Sequence, residues 1–520
     1  MDDLNPRLRA VCDLDVAEMR EFSGRHEYDG KIQDLSRDGV AAGLARLAAA
    51  VSADGRLADP HDDAHLAAFE QAAQVALGEL ELHRRNPLWH LAGLDLSCYD
   101  REYAPQDQRD RARREHLASW PQAVEAAVDA LDQVPAPVAE ALGGAIRGLA
   151  AGVPAAGVSA AGVAAAADDG VRAAALAAHA RLVAHIDKAA ATGSPDAALG
   201  IRHLTALMSS AESMPLDLGR LAERADAERD RLTALLAESC ARIGPGRPAL
   251  AVARELVREH PDADGVLEAA RRWTQLAIEF TRDKDLVPYQ DGECRVGLAP
   301  PSRRWAMAMM SSAAPGEPEG PSWYHITPPD PSWPAGEIEE WLEVFSDATL
   351  PGITVHEVAP GHFSHGRALR RAPTPVRQTL QSAAFIEGWA HYAEELCVEE
   401  GFQAGDPRFA IGVWLEALVR VTRLACAIGV HTAGMTVDEA ASMFEAHTHL
   451  SGQAALSEAR RATFDPTYGR YTWGKLEIME LRERARRQWG SAFTLKRFHT
   501  AMLTLGSPPL GLLGTALERG

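Results

Sequence analysis

The densest chemistry in the chain is the run Thr354-Val355-His356-Glu357-Val358-Ala359-Pro360-Gly361-His362. Neutral imidazoles bind zinc, and a carboxylate next to the first ligand can take a proton from the water that the metal activates. In the common H-E-x-x-H arrangement the imidazoles stand at i and i+4 on one helix face. Here the second histidine comes six residues on, about 240° around an ideal helix, and Pro360 occupies the i+4 position. Proline removes a backbone donor and clashes with the carbonyl four residues back, while Gly361 admits conformations closed to other residues. The helix is expected to end, kink or bulge over Ala359–Gly361, which would return His362 to the side of His356. The rival reading of these residues is a helix end carrying surface histidines. A second His-Glu pair, His26-Glu27, has no further histidine in range and reads as surface.

A catalytic zinc commonly takes two histidines and one carboxylate and leaves a fourth position for water. Ser382 to Leu396 reads as a helix on which Glu387, His391 and Glu394 fall at i, i+4 and i+7, sharing one face. One carboxylate on that face can ligate a metal while another orients a ligand imidazole from behind. The alternative is a solvated Glu/His stripe. Trp389 lies on another face and reads as core. His365 would replace His362 as a ligand if the helix resumes after Gly361. Glu445, His447 and His449 form E-x-H-x-H on a segment that reads as helix, where i and i+2 side chains do not face each other. Tyr324 and His325, on a candidate strand upstream, are expected to line the pocket. The nucleotide, dinucleotide and serine-hydrolase signatures G-x-x-x-x-G-K-[ST], G-x-G-x-x-G and G-x-S-x-G are absent.

The elements that must position these groups are mostly helical. Gly39–Ser52, Ala64–Leu82, Val171–Lys188 and Leu218–Cys240 carry apolar residues at three- and four-residue spacing, punctuated by prolines. From Asp283 to Pro334 the chain turns rich in Pro, Gly and Trp, and Arg295–Leu298 and Trp323–Thr327 are the strand candidates. Helical patterning resumes near Gly336. These shifts place a boundary near residue 285, between a helical N-terminal lobe (1–285) forming a cleft wall or lid and a catalytic lobe (286–520).

With 520 residues, 46% of them hydrophobic, the chain has ample material for a core. Acidic residues outnumber basic ones 73 to 53, a net charge of −20, and the densest basic run, Arg482–Arg487, contains Glu483. Such a surface disfavours nucleic acid and anionic lipid. The six cysteines are widely spaced with no C-x-x-C, which fits a reducing, cytoplasmic setting. The acidic N-terminus does not read as a signal peptide. Gly148–Ala167 is free of charge over a membrane-spanning length but holds one Leu, four Gly and a Pro. It is expected to be a helical hairpin or hinge rather than a membrane span.

The two central motifs resemble a bacterial family known as domain of unknown function 885, marked by H-E-x-x-P-G-H and E-G-W-A-x-Y-A-E. They stand here as His356–His362 and Glu387–Glu394. Tyr28-Asp29-Gly30, Asn86–Trp89, Trp323–Pro329, Phe498-His499 and Leu505–Leu510 extend the similarity over most of the chain. The resemblance implies a mainly α-helical, zincin-like metallopeptidase fold with a deep cleft and a small β element before the metal helix. It implies zinc held by His356, His362 and Glu387, with Glu357 as general base. Tyr471-Thr-Trp-Gly474 matches a further family element and offers a phenol to an oxyanion, with Tyr468 as the other candidate and His325 as a possible second donor. His391 is either a group behind a ligand or without a role. The expected activity is zinc-dependent hydrolysis of peptides or small amides. The alternatives are a metal-dependent enzyme acting on a non-peptide small molecule and an inactive helical binding protein.

Overall fold

The computed structural model describes residues 4–53, 55–153, 163–300, 303–304 and 306–520. The fold is mainly helical with one small three-stranded sheet. Among the described residues no helix is long and apolar enough to cross a membrane. The hairpin or hinge expected over Gly148–Ala167 falls largely on residues 154–162, outside the described residues.

Contacts divide the chain into two compact units, at residue 211/212 rather than near 285. Unit 1 holds residues 1–211 together with the short returns 300–305 and 314–320. Its helices include Arg37–Ser52, Pro60–Ala73, Gln106–Ala130 and Val163–Thr192. Ser36 and Asp59 cap the first two by accepting from the amides of Gly39 and His61. The returns are fastened by charge: Arg303 pairs with Glu21, and Arg101 with Glu317. His26 is not a bare surface residue. It stacks on Tyr103 at 3.8 Å and lies between Asp29 and Glu317, at 3.2 and 3.3 Å.

Unit 2 contains the helices Leu218–Ala241, Ala249–Leu256 and Gly265–Asp283 as well as the sheet and everything from residue 321 onward. The composition shift at Asp283 marks a change from helix to strand, not a change of unit. Charge explains why: Arg231, on Leu218–Ala241, is bidentate to Glu395 at 2.7 and 2.8 Å. The fully buried Lys475 bridges Glu228 and Glu395 at 3.1 and 2.6 Å. A buried ammonium is tolerable only with such partners.

The expected strands form as β1 (Cys294–Leu298) and β3 (Ser322–Ile326), paired in parallel, and a strand absent from the sequence reading, β2 (Ala308–Ser311), pairs antiparallel on the other side of β3. Val296, Tyr324 and Ile326 from the sheet pack with Leu350, Ile353, Val358 and Phe363 around the first histidine helix, and with Val266, Ala269 and Ala270 of Gly265–Asp283. Ala383–Glu399 begins on Ser382, whose hydroxyl accepts from the Phe385 amide, and is buried almost all round. It crosses Arg470–Trp489 at Gly388 and Gly474, where neither helix leaves room for a side chain: a methyl on Gly474 would strike the Ala384 carbonyl and the Gly388 Cα.

Gly474→Ala should therefore lower unfolding free energy by about 1–3 kcal/mol. Gly405→Ala, whose added methyl meets open space, should stay within about 0.5 kcal/mol of the parent. Urea unfolding followed by circular dichroism reads both.

Candidate metal centre

The first histidine helix, Thr349–Glu357, is buried along its whole length and stops at Glu357. A second helix, His362–Leu369, starts at once after the break Val358–Gly361. Two contacts set the angle of that break. Gly361 lies so close to the preceding helix that any Cβ would collide with the carbonyl oxygens of His356 and Val355, and its amide donates to Val355 O at 3.1 Å. The indole N–H of Trp389, a fully buried residue, donates to the carbonyls of Pro360 and Gly361 at 3.0 and 3.3 Å. The break thus does what the i+6 spacing required: the His356 and His362 rings lie 4.7 Å apart, nearly perpendicular.

Glu387 faces both. Its Oε2 is 3.6 Å from His356 Nε2 and 3.5 Å from His362 Nε2. Among the described residues these three form the only cluster of His, Cys, Asp or Glu with a geometry suited to a metal. Burial opposes ionisation of Glu387, but the two imidazoles overcome it and hold the carboxyl well below its usual range. Glu394, two turns along the same helix, lies behind His356 and accepts from Nδ1 at 2.6 Å. That bond fixes the tautomer that leaves Nε2 free to ligate. Glu394 is held in turn by Arg420 at 3.2 Å and His391 at 3.4 Å. Burial works against its charge, and Arg420 and His391 outweigh it, so the carboxyl stays ionised far into acid. His391 is therefore a support for Glu394, buried at 1% exposure.

Glu357, beside the first ligand, is buried, and its Oε2 has no hydrogen-bond partner in the protein. Burial raises its pKa, with His362 and His356 pulling the other way. Tyr471 stacks 6.5 Å from the His356 ring at 24°. Tyr468 is fully buried with its hydroxyl directed at Glu458 O, 3.4 Å away. Of the two tyrosines, then, Tyr471 is the one beside the ligands.

Other candidates lie elsewhere. His365 is bound through Nε2 to Ser507 Oγ at 2.9 Å, and burial lowers its pKa to about 3; it supports the hairpin and is no ligand. His325 is on the face of β3 opposite Tyr324, stacked on Trp323 and bonded through Nδ1 to Leu298 O. The burial alternation along β3 turns Tyr324, not His325, toward the first histidine helix, where its hydroxyl is 3.5 Å from Thr354. The helix Val437–His447 ends before His449, so Glu445, His447 and His449 do not share a face. Sequence reading overlooked Arg420. Its signal is a lone charge in the apolar run Leu418-Val419-Arg420-Val421, which needs a buried partner on another element.

The donor set fits a divalent cation, two imidazoles and one carboxylate with an orienting carboxylate behind. His356→Ala and Glu387→Gln should each abolish metal uptake measured by plasma mass spectrometry. Glu394→Gln should keep the stoichiometry but weaken affinity roughly 10–100-fold. Without a cation, burial lowers the pKa of His356, but Glu387 and Glu394 together raise it to about 9. Metal uptake near neutrality should therefore release a proton, and affinity should climb with pH until about 9. Calorimetry in two buffers of different ionisation heat counts that proton.

Comparison with known proteins agrees with the motifs. The family model described as "Bacterial protein of unknown function (DUF885)" matches residues 18–517. A structure described as "a putative lipoprotein of unknown function" from Shewanella oneidensis superposes with a TM-score of 0.78 at 20% identity, covering 98% of each chain. The crystal structure of a second "putative lipoprotein", from Colwellia psychrerythraea, gives a TM-score of 0.78 at 16% identity, over 99% of this chain and 97% of that one. At these identities the likeness is one of fold. No curated protein matches. With nearly its whole length matched, the chain belongs to the domain of unknown function 885 family of bacterial proteins.

Proposed function

We propose that the protein is a zinc-dependent hydrolase, a peptidase acting on peptides or small amides. The observation that carries this reading is Glu357, a buried carboxyl with an unpartnered oxygen next to two imidazoles and a carboxylate of ligand geometry. A purely structural metal site has no use for such a group, because burying an unsatisfied polar atom costs stability. Two histidines and one glutamate suit zinc, with manganese or cobalt as chemically acceptable substitutes. The ligand arrangement, two imidazoles across a broken helix and a glutamate from the next long helix, is of the zincin-like kind.

A divalent cation held by His356, His362 and Glu387 supplies Lewis-acid polarisation of a carbonyl and acidifies a water. Glu357 takes the proton from the attacking water and later returns it to the leaving nitrogen as the C–N bond breaks. Burial raises its pKa, which favours its return of the proton to the leaving nitrogen. Glu394 acts through His356, whose ring it keeps in place. The phenol of Tyr471, stacked beside His356, donates to the oxyanion of the tetrahedral intermediate.

The test is cleavage of pooled short peptides by zinc-replete protein, read by mass spectrometry. Glu357→Gln should retain its metal and lose about 10²–10⁴-fold in turnover. Undiminished turnover in that variant, or no cleavage of any peptide by the metal-replete parent, would remove the peptidase reading.

A further inference from the structure

Four arginines of unit 2 surround the ring of Tyr471. The guanidinium carbons of Arg423, Arg470, Arg420 and Arg461 lie 5.1, 5.6, 5.9 and 6.0 Å from its centroid. Each is fixed by carboxylates. Arg423 donates Nε and Nη2 to Glu458, both at 2.7 Å. Arg461 donates Nε and Nη2 to Asp465, at 3.1 and 3.0 Å. Arg470 donates both terminal nitrogens to Asp465, and Arg420 pairs with Glu394 and Glu416.

These pairings leave one terminal nitrogen of Arg423 and one of Arg461 not taken by a carboxylate. Among the described residues, Nη1 of Arg423 and Nη1 of Arg461 make no hydrogen bond to a carboxylate or carbonyl, and Arg461 also hydrogen-bonds the Tyr471 side chain. Their side chains keep 14% and 25% of their surface open, and their carboxylate partners hold both guanidiniums in place. Several buried ion pairs gathered at one tyrosine are a poor way to stabilise a fold, because apolar residues of the same volume do so at less desolvation cost. They are a good way to recognise an anion, since each guanidinium is already oriented and a carboxylate accepts from more than one N–H at once.

Position restricts which anion. The ring of Tyr471 lies 6.5 Å from that of His356, and the guanidinium carbon of Arg423 lies 5.1 Å from the Tyr471 ring. A peptide residue spans about 3.3–3.6 Å, so a group held by these donors is within about three residues of a carbonyl placed beside His356.

We infer that Arg423 and Arg461, beside Tyr471, form a subsite for the free C-terminal carboxylate of a short peptide, cut within about three residues of that end. The cut rests on the hydrolase reading above; the carboxylate binding rests on the arginine geometry alone. The binding experiment uses zinc-loaded full-length protein carrying Glu357→Gln, equilibrated with pooled tripeptides made both as C-terminal acids and as C-terminal amides. The retained fraction is read by mass spectrometry after ultrafiltration. Acids should be retained at least tenfold over amides, the worth of one charge-assisted hydrogen bond. That preference should vanish when Arg423→Gln is combined with Glu458→Gln, which removes the ion pair whole and leaves no orphaned carboxylate. Arg461→Lys, which keeps the charge and loses the fork, should reduce it.

Equal retention of acids and amides, retention of neither, or a preference that survives both variants would overturn the subsite. Turnover by the parent protein separates this from the hydrolase reading. Preferential binding of acids with no cleavage sinks the hydrolase alone, whereas equal cleavage of acids and amides sinks the subsite alone.

Discussion

Everything at the centre depends on how tightly the backbone folds back on itself between Val358 and Gly361. The first histidine helix points His356 toward Glu387, and a continuous helix would have sent His362 away from both. Gly361 presses against the carbonyls of Val355 and His356, a contact no side chain would permit. The Trp389 indole then donates to the Pro360 carbonyl and shares the Gly361 carbonyl with the His365 amide. An unsatisfied buried carbonyl is costly, so the indole satisfies Pro360 O and ties the break to the Glu387 helix. Because Trp389 is two residues from Glu387 on the same helix, the side chain that holds the break and the one that faces both imidazoles move as one body.

Around this hairpin the helices are held by groups that never reach the ligands. His365 binds Ser507, and Ser507 O accepts the Ser382 amide that opens the Glu387 helix. His499 donates from Nδ1 to Leu286 O and accepts from Tyr392 through Nε2. Burial lowers the His499 pKa to about 4, as a neutral ring with one donor and one acceptor requires. The C-terminal motifs Phe498-His499 and Gly506-Ser507 therefore support the helices that carry the His356, His362 and Glu387 cluster, although they lie more than a hundred residues beyond it in sequence. Glu394 plays the corresponding electrostatic part: one carboxylate, fully buried, is shared by His356, Arg420 and His391.

Much of this was legible in the chain. The strands at Cys294–Leu298 and Ser322–Ile326 and the long helices follow from β-branched and aromatic runs on one hand and three-and-four spacing on the other. Pro360 and Gly361 announced a break, and the face shared by Glu387 and Glu394 announced two carboxylates directed at one imidazole, His356. What resisted reading was anything resting on pairing across distance. Strand β2, Ala308–Ser311, is too short to carry its own pattern and exists because β3 offers it an edge. The unit division at 211/212 follows ion pairs such as Arg231–Glu395, not the composition change at Asp283. His325 fell on the wrong face because alternation along a strand is visible in sequence while the face that meets the histidine helix is not.

Sequence alone determined the types of the clustered histidines and carboxylates and their local spacing, because helix and strand periodicity and the backbone limits of proline and glycine are properties of short stretches. Tertiary structure alone decided which groups meet: Tyr471 rather than Tyr468 beside His356, His365 on Ser507 rather than in the ligand set, and Arg420 behind Glu394. Each of those choices is made by packing between helices far apart in the chain. There a burial or a charge pairing on one element is satisfied only by a residue on another, and no local pattern records the partner.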